Sequence, residues 1–366
     1  MEKEIKIAGA GISGLTTAIL LAKNGHKTTV YEVANHAGGR FKGDWQNLAN
    51  WTKDIDILEY LKKLGLEINF FAKPCYEMKI LTPNLKEIEL KSLEPLFYSV
   101  KRGKPQDSID NGLLKQAKRL GVNVIFNTPK EETEVDIVAV GPRQAVGYVS
   151  GINFASPSPD TIIVFIDKNL SENYSYVEII NGRGTLASYH NKPAKNNLSV
   201  FKEKMEKLLN IKIKEPRLFR ARGNFALNGP VKKGKTFYIG EAAGFQDVLA
   251  GFGMILAIDS GYLAACAIIK DKDYLKLYEK EISPRLKASY VNRNLYKRMP
   301  NLIFNNLDKI GRQKQKDYQK FLSWLYNYSF GHKVLFSIFR GLDPQCKLES
   351  KFCDLGENNQ DKDKLT

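Results

Sequence analysis

Cysteine and histidine are both scarce in this 366-residue chain, at four of each. No two cysteines stand as Cys-x-x-Cys, and none has a histidine at metal-ligand spacing. A disulfide-stapled scaffold and a structural zinc site are therefore excluded as organising principles, and a reducing compartment fits. Cys346 and Cys353 could pair in the tail, but nothing requires it. His26, His36, His190 and His332 read as surface or turn residues. Long apolar runs are missing too. The longest nearly apolar stretch, Gly253 to Ile269, is interrupted by Asp259, Ser260 and Gly261, so it reads as a buried helix and not as a membrane span. Met1-Glu2-Lys3-Glu4 passes straight into a β-branched run, which leaves no room for a signal peptide, and a cytoplasmic location is expected. Internal repeats and low-complexity tracts are absent, and only the polar tail after Cys353 reads as disordered.

Acidic residues are in deficit, 40 against 56 basic ones, for a net charge of +16. The imbalance is uneven. From Ser283 to Arg340 twelve Lys and Arg stand against two Asp, interleaved with Phe304, Phe321, Trp324, Tyr326, Tyr328, Phe330, Phe336 and Phe339. Basic residues among aromatics suit an anionic membrane surface, with the protein peripheral to it. They also suit nucleic acid, which charge alone motivates here, and equally the solvated face of lysine-rich helices.

What is present begins at once. Ile5 to Ala8 is a β-branched run that reads as a buried parallel strand, and Leu15 to Ala22 reads as an apolar helix. Between them Gly9, Gly11 and Gly14 hold the spacing G-x-G-x-x-G. Gly9 permits a tight turn, Gly11 a close approach to a pyrophosphate, and Gly14 close packing of helix on strand. Ile12 and Ser13 open the helix, whose free N–H groups and dipole favour phosphate. Asn24-Gly25 closes it. Lys27 to Val33 reads as a second strand carrying Glu32, eighteen residues after Gly14, where a carboxylate can accept the hydroxyls of an adenosine ribose. A bound dinucleotide follows. Gly38-Gly39-Arg40 then allows a guanidinium to reach the phosphates from the other side.

Asp54 to Leu64 is an amphipathic helix. The runs Leu66–Phe71, Tyr76–Leu81, Glu87–Leu90 and Leu96–Val100 alternate, parted by Pro74, Pro83 and Pro95, and predict an antiparallel meander. A helix over 108–120 and strands at 122–126 and 136–140 return to the α/β pattern. Strands at 161–167, 174–180 and 185–189 follow, with Asn181-Gly182 as hairpin chemistry, and then a helix over 199–209. The strand Phe237–Gly240 leads into Glu241-Ala242-Ala243-Gly244, and Gly251-Phe252-Gly253-Met254 opens the helix to Ile269. An acidic residue at a strand end can bind a polyol, and the helix start aims positive potential at a ring that gains negative charge on reduction. A flavin does so and a nicotinamide does not, which favours FAD over NAD.

With these segments in place, the chain resembles FAD-dependent oxidoreductases of the glutathione-reductase-type fold, in the branch of geranylgeranyl reductases and para-hydroxybenzoate hydroxylase. The resemblance covers about residues 1–270 and rests on GAGISG, Glu32, YSVKRG…SIDNGLLKQAKRLGVNV, DIVAVG and GEAAGFQDVLAGFGM…SG. It implies an α/β chain: a Rossmann-like FAD-binding domain with an inserted antiparallel β-sheet substrate domain and a C-terminal helical region. The expected division gives 1–65, 96–150 and 215–272 to FAD, 66–95 and 151–214 to the substrate sheet, and 273–353 to the helices, with 354–366 as a disordered tail. The resemblance places Gly9, Gly11, Ile12, Ser13, Gly14 and Glu32 on ADP, Gly39, Arg40 and Arg102 near the pyrophosphate, and Gly240, Glu241, Gly251, Gly253 and Met254 on the ribityl and flavin side. The family's aspartate is Glu241 here, and its usual proline is Val248.

The implied activity is reduction of C=C bonds in an isoprenoid or prenyl lipid, an apolar substrate. The alternatives are a flavin monooxygenase or a non-enzymatic prenyl-binding protein. A flavin halogenase is disfavoured, because Trp45, Trp51 and Trp324 do not form the paired-tryptophan motif of those enzymes. A second glycine fingerprint is absent, so NAD(P)H or ferredoxin would serve as a transient electron donor. The sequence assigns no catalytic residue: Cys75, Tyr176, His190 and Asp247 lie near expected pocket edges, and each has an ordinary structural role open to it. Oligomeric state is not legible.

Overall fold

A computed structural model describes residues 3–82, 86–143, 147–167, 170–171, 174–190, 197–223, 227, 229–299 and 318–342. The elements run β1 (Ile5–Ala8), α1 (Ile12–Lys23), β2 (Thr28–Tyr31), β3 (Lys42–Ala49), α2 (Ile57–Lys63), β4 (Ala72–Cys75), β5 (Glu77–Leu81), β6 (Glu87–Lys91), β7 (Phe97–Gly103), α3 (Ile109–Arg119), β8 (Asn123–Ile125) and β9 (Ile137–Val138). They continue with β10 (Gly147–Ala155), β11 (Thr161–Phe165), β12 (Ser175–Ile180), β13 (Arg183–His190), α4 (Asn197–Leu209), β14 (Lys214–Gly223), β15 (Lys232–Lys233), β16 (Thr236–Tyr238), α5 (Met254–Ile269), α6 (Tyr274–Glu281), α7 (Ser283–Arg298), α8 (Tyr318–Tyr326) and α9 (Phe330–Leu342). The chain is α/β, as the sequence implies.

Three sheets organise it. The first has the order β15-β16-β9-β1-β2-β8 and is parallel from β16 to β8. Its central strand, β1, is β-branched and buried because α1 packs on the sheet, flanked in turn by α3 and α5, and Leu15, Ile19 and Leu21 of α1 are fully enclosed. The second has the order β14-β10-β13-β12-β11-β5-β6, antiparallel except between β11 and β5. Here α4 seals one face with Phe201 and Met205. The third is a small antiparallel sheet, β3-β7-β4, that packs with Trp51, Phe252 and Tyr318. Local chemistry sets several ends. Asp56 and Ser108 cap α2 and α3, accepting from Leu58 N at 2.9 Å and Asn111 N at 3.1 Å. Asn181 and Gly182, both at positive φ, make the β12–β13 hairpin.

The expected meander is not there. Residues 66–71 form no strand, β5 and β6 pair within the seven-stranded sheet, and β7 belongs to the three-stranded one. Pro74 sits inside β4, which tolerates it because β4 is an edge strand. Residues 215–223, which the sequence division gives to the FAD part, form β14 and pair with β10. β3, β10 and β14 show no apolar alternation to betray them. In β10 a small residue is required: a Cβ on Gly151 would lie 2.2 Å from the Phe219 ring. Asp259, which interrupts the apolar run of α5, is buried against Lys53 at 2.9 Å, Tyr60 at 2.7 Å and Arg285 at 2.7 Å, and so ties α2, α5 and α7 together. Among the described residues no helix is long and apolar enough to cross a membrane. Residues 354–366, Cys346 and Cys353 lie outside the described residues.

Candidate functional site

The first corner of the site is built almost wholly within forty residues. β1 ends at Gly9, whose φ of +108° turns the chain so tightly that a Cβ would lie 2.3 Å from the Ala139 carbonyl oxygen. Gly14 packs α1 on that turn, and its Cβ would sit 2.1 Å from the Gly9 carbonyl oxygen. A Cβ on Gly11, in contrast, would meet nothing within 4 Å, because this backbone faces open cavity. Gly11 is the N-cap of α1 and brings no side chain to its N–H groups, which leaves them for a ligand. Glu32 is buried at the end of β2. One of its oxygens accepts from Ala10 N at 2.7 Å and the other from Ala34 N at 2.9 Å, so the carboxylate is fixed while still lining the cavity.

The second corner comes from far along the chain. After β16 a 3-10 turn, Gly240–Ala243, leads through Gly244 to a loop gathered on Asp247. The Asp247 carboxylate accepts from Leu249 N at 3.0 Å, Ala250 N at 3.0 Å and Phe252 N at 3.4 Å, and also from Tyr326 OH at 3.0 Å and from the Ser289 hydroxyl. Gly253 then caps α5 without a side chain, and the first turn of α5 contains no acidic residue. A second helix start thus faces the same cavity.

The two corners meet. Gly240 packs against Ser13, α1 lies along α5, and Arg40 forms an ion pair with Glu241 across the cleft while donating to Arg222 O at 3.0 Å. Arg102 is buried, chelated by Asp110 at 2.9 and 3.2 Å, bonded to Gln46 Oε1 at 3.0 Å, and stacked 3.8 Å above the Phe41 ring. Of the residues anticipated from sequence, Gly9, Gly11, Ile12, Ser13, Glu32, Gly39, Arg40, Arg102, Glu241, Gly251, Gly253 and Met254 line one cavity of about 1360 Å³. Gly14 and Gly240 stand behind its wall. A pocket for a drug-sized ligand holds roughly 300–1,000 Å³, and this space is larger.

Beyond the corners the cavity becomes an apolar chamber. Met78, Ile80, Phe97, Ile162 and Val164 come from the sheets, and Leu295, Phe321 and Leu322 from α7 and α8. The sequence reading missed its polar fittings: Asp44, Gln46 and Asn47 on β3, Tyr174 and Tyr189, and Arg293 on α7. Burial pushes the Asp44 carboxyl above the usual range and holds the Tyr174 and Tyr176 phenols protonated. Of the polar candidates, Tyr176 does line the cavity, donating to Trp45 O at 3.3 Å. Cys75 and His190 are buried outside the cavity lining, and burial pushes the Cys75 thiol up to about 11, which makes it inert. Asp247 is a loop organiser.

The geometry fits an extended dinucleotide: two uncapped helix starts, a fixed carboxylate for a ribose, and a gap where a Cβ would be free. Residues 7–65 match the model of the NAD(P)-binding Rossmann-like domain. The fold as a whole is one that flavin-dependent enzymes share. At the level of whole chains, the structure is similar to a geranylgeranyl bacteriochlorophyll reductase-like protein from Thermoplasma acidophilum, with a TM-score of 0.65 at 17% identity over 95% of this chain and 98% of that one. It is similar to the flavin-dependent brominase Bmp2, with a TM-score of 0.64 at 14% identity over 93% and 98%. It is also similar to 2-methyl-3-hydroxypyridine-5-carboxylic acid oxygenase, with a TM-score of 0.57 at 14% identity over 82% and 92%. In sequence, an L-amino-acid oxidase of Sistrurus catenatus edwardsii is 46% identical over 77 residues, 19% of this chain and 15% of the oxidase. An L-amino acid oxidase of Bothrops pictus is 33% identical over 95 residues, 23% and 19%. The matched stretch thus spans less than a fifth of these oxidases.

Proposed function

We propose that this protein is an FAD-dependent oxidoreductase that reduces C=C bonds of an isoprenoid or prenyl lipid. The observation that carries the reading is the continuity of a dinucleotide cradle with a large chamber whose walls are mostly aliphatic and aromatic. The N–H groups at the starts of α1 and α5, with Glu32 and Arg40, would hold the cofactor. When bound, FAD supplies the two-electron chemistry. The chain's own contribution is alignment and water exclusion by Met78, Ile162, Val164 and their neighbours. Tyr176 faces the cavity as a neutral phenol whose hydroxyl donates to Trp45 O, so its part is to shape and fix the wall against the substrate. The electrons come from a visiting donor, a pyridine nucleotide or ferredoxin.

The chamber reaches the surface at α8, where Trp324 both lines it and is 66% exposed. Phe330, Val334 and Ile338 continue an exposed stripe along α9 beside Lys333 and Arg340. That face fits an anionic membrane from which a lipid could enter. Vesicles containing phosphatidylglycerol should sediment the protein and neutral vesicles should not. Binding of duplex or single-stranded RNA in preference to vesicles would reassign this surface.

The reaction is tested by incubating dithionite-reduced protein with a panel of prenyl lipids. Each reduced double bond adds two hydrogens to the product mass. No mass gain across the panel sinks the reductase reading. The similarity to an oxygenase keeps a monooxygenase in second place, and substrate-coupled oxygen consumption would favour it.

A further inference from the structure

Among the described residues, Arg293 lines the chamber as a buried cation with no ion-pair partner. Arg293 lies on α7, is nine-tenths buried, and lines the cavity. Among the described residues no carboxylate lies within 4 Å of its guanidinium, and none accepts a hydrogen bond from it; its named contact is the Tyr296 ring at 5.6 Å. The carboxylate that acts on it from a distance, Asp247, is committed to three backbone N–H groups and two hydroxyls. The phenols of Tyr174, Tyr189 and Tyr296 are near enough to act on its charge. Other buried or half-buried cations among the described residues have carboxylate partners: Arg102 has Asp110, and Lys53 and Arg285 share Asp259. A buried guanidinium without a partner is costly, and arginine stays protonated even where burial depresses it.

We propose that the wall between α7 and the β12–β13 hairpin is an anion subsite, in which Arg293 grips the acidic head of an amphiphile whose apolar part fills the chamber. The proposal rests on the reading of the chamber as a lipid site and adds the chemistry of the substrate's polar end. A carboxylate or a phosphate would serve, since both accept bidentate bonds from a guanidinium. The acid would sit inside the protein, not at a membrane surface.

Calorimetric titration of the full-length, flavin-loaded protein tests this with farnesyl phosphate, farnesoic acid, farnesol and inorganic phosphate. One or both acids should bind at least about tenfold more tightly than the alcohol, the worth of a charge-assisted bond pair, and the preferred acid identifies the head. Arg293→Met should erase that preference while leaving farnesol affinity and flavin absorbance in place, and Arg293→Lys should retain part of it. Equal binding of acids and alcohol by the unaltered protein overturns the proposal. So does an Arg293→Met protein that loses both alike, or inorganic phosphate that competes as well as farnesyl phosphate. A colourless protein that still prefers the acid would sink the flavin reading and keep this one; a yellow protein without preference does the reverse.

Discussion

The two corners of the cofactor cradle do similar work by different means. The N-terminal corner, Gly9 to Gly14 with Glu32, is held by neighbours in sequence, by the turn between adjacent elements and by two backbone donors within twenty-two residues of the carboxylate. The C-terminal corner, Gly240 to Met254, is held from outside. Its loop hangs on Asp247, and Asp247 is held by Ser289 of α7 and Tyr326 of α8, while the Tyr174 hydroxyl donates to Ala250 O at 2.8 Å from another sheet. One corner is a motif in the strict sense. The other is a junction, where the cofactor part, the seven-stranded sheet and the C-terminal helices are joined, so a change there is felt in the chamber as well as the cradle.

That contrast can be broken experimentally. Gly14→Val is expected to have the largest effect, because its Cβ would lie 2.1 Å from backbone; the loss should be about 4 kcal/mol or more, seen as insoluble or colourless protein. Asp247→Asn leaves several of five donors without an acceptor and should cost about 2–4 kcal/mol by denaturant titration, with Tyr326→Phe costing about 1 kcal/mol. Equal tolerance of both Asp247 and Tyr326 changes would show that the second corner stands without the helices.

A third test addresses the joint between the sheets. Glu178 of β12 is fully buried, accepts from Ser99 and from Asn47 Nδ2 at 3.4 Å, and burial raises its pKa to about 7. A raised carboxyl means the folded state binds the proton more tightly than the unfolded one. Stability should therefore fall as pH rises from about 4.5 to about 7 and then level off. Glu178→Gln should remove this slope and gain of order 3 kcal/mol at pH 8, and urea midpoints across that range decide it. Glu32→Gln should weaken FAD binding about tenfold to a hundredfold, measured by flavin release on dilution. Gly11→Ala should be the mildest for the fold, under about 1 kcal/mol, while flavin occupancy drops because the methyl enters the phosphate space. A Gly11→Ala protein with full flavin would mean that the cofactor does not approach this helix start.

Sequence reasoning recovered the first corner, the second corner's glycines, and the helices from α1 to α5, because each is a local pattern: a β-branched run, a glycine spacing, a capping residue. It failed at β3, β10 and β14 for an equally physical reason. In β10, Gly151 is small because the Phe219 ring lies over it, and β14 is an edge strand rich in exposed charge, so no alternation marks either. Arg293 looked like one more lysine-rich-helix cation. Only packing removed its counter-charges and turned it into the cavity.

The residue order by itself determined a tight strand-to-helix turn with open backbone at its start, since only glycine adopts the φ of +108° at Gly9 without strain and only glycine leaves the backbone bare at Gly11. The tertiary structure alone decided that the second turn faces the first, that Glu241 reaches Arg40, and that an apolar chamber opens beyond them. Those outcomes depend on distances between segments more than two hundred residues apart, such as the 201 that separate Arg40 from Glu241, and no local pattern encodes a distance of that kind.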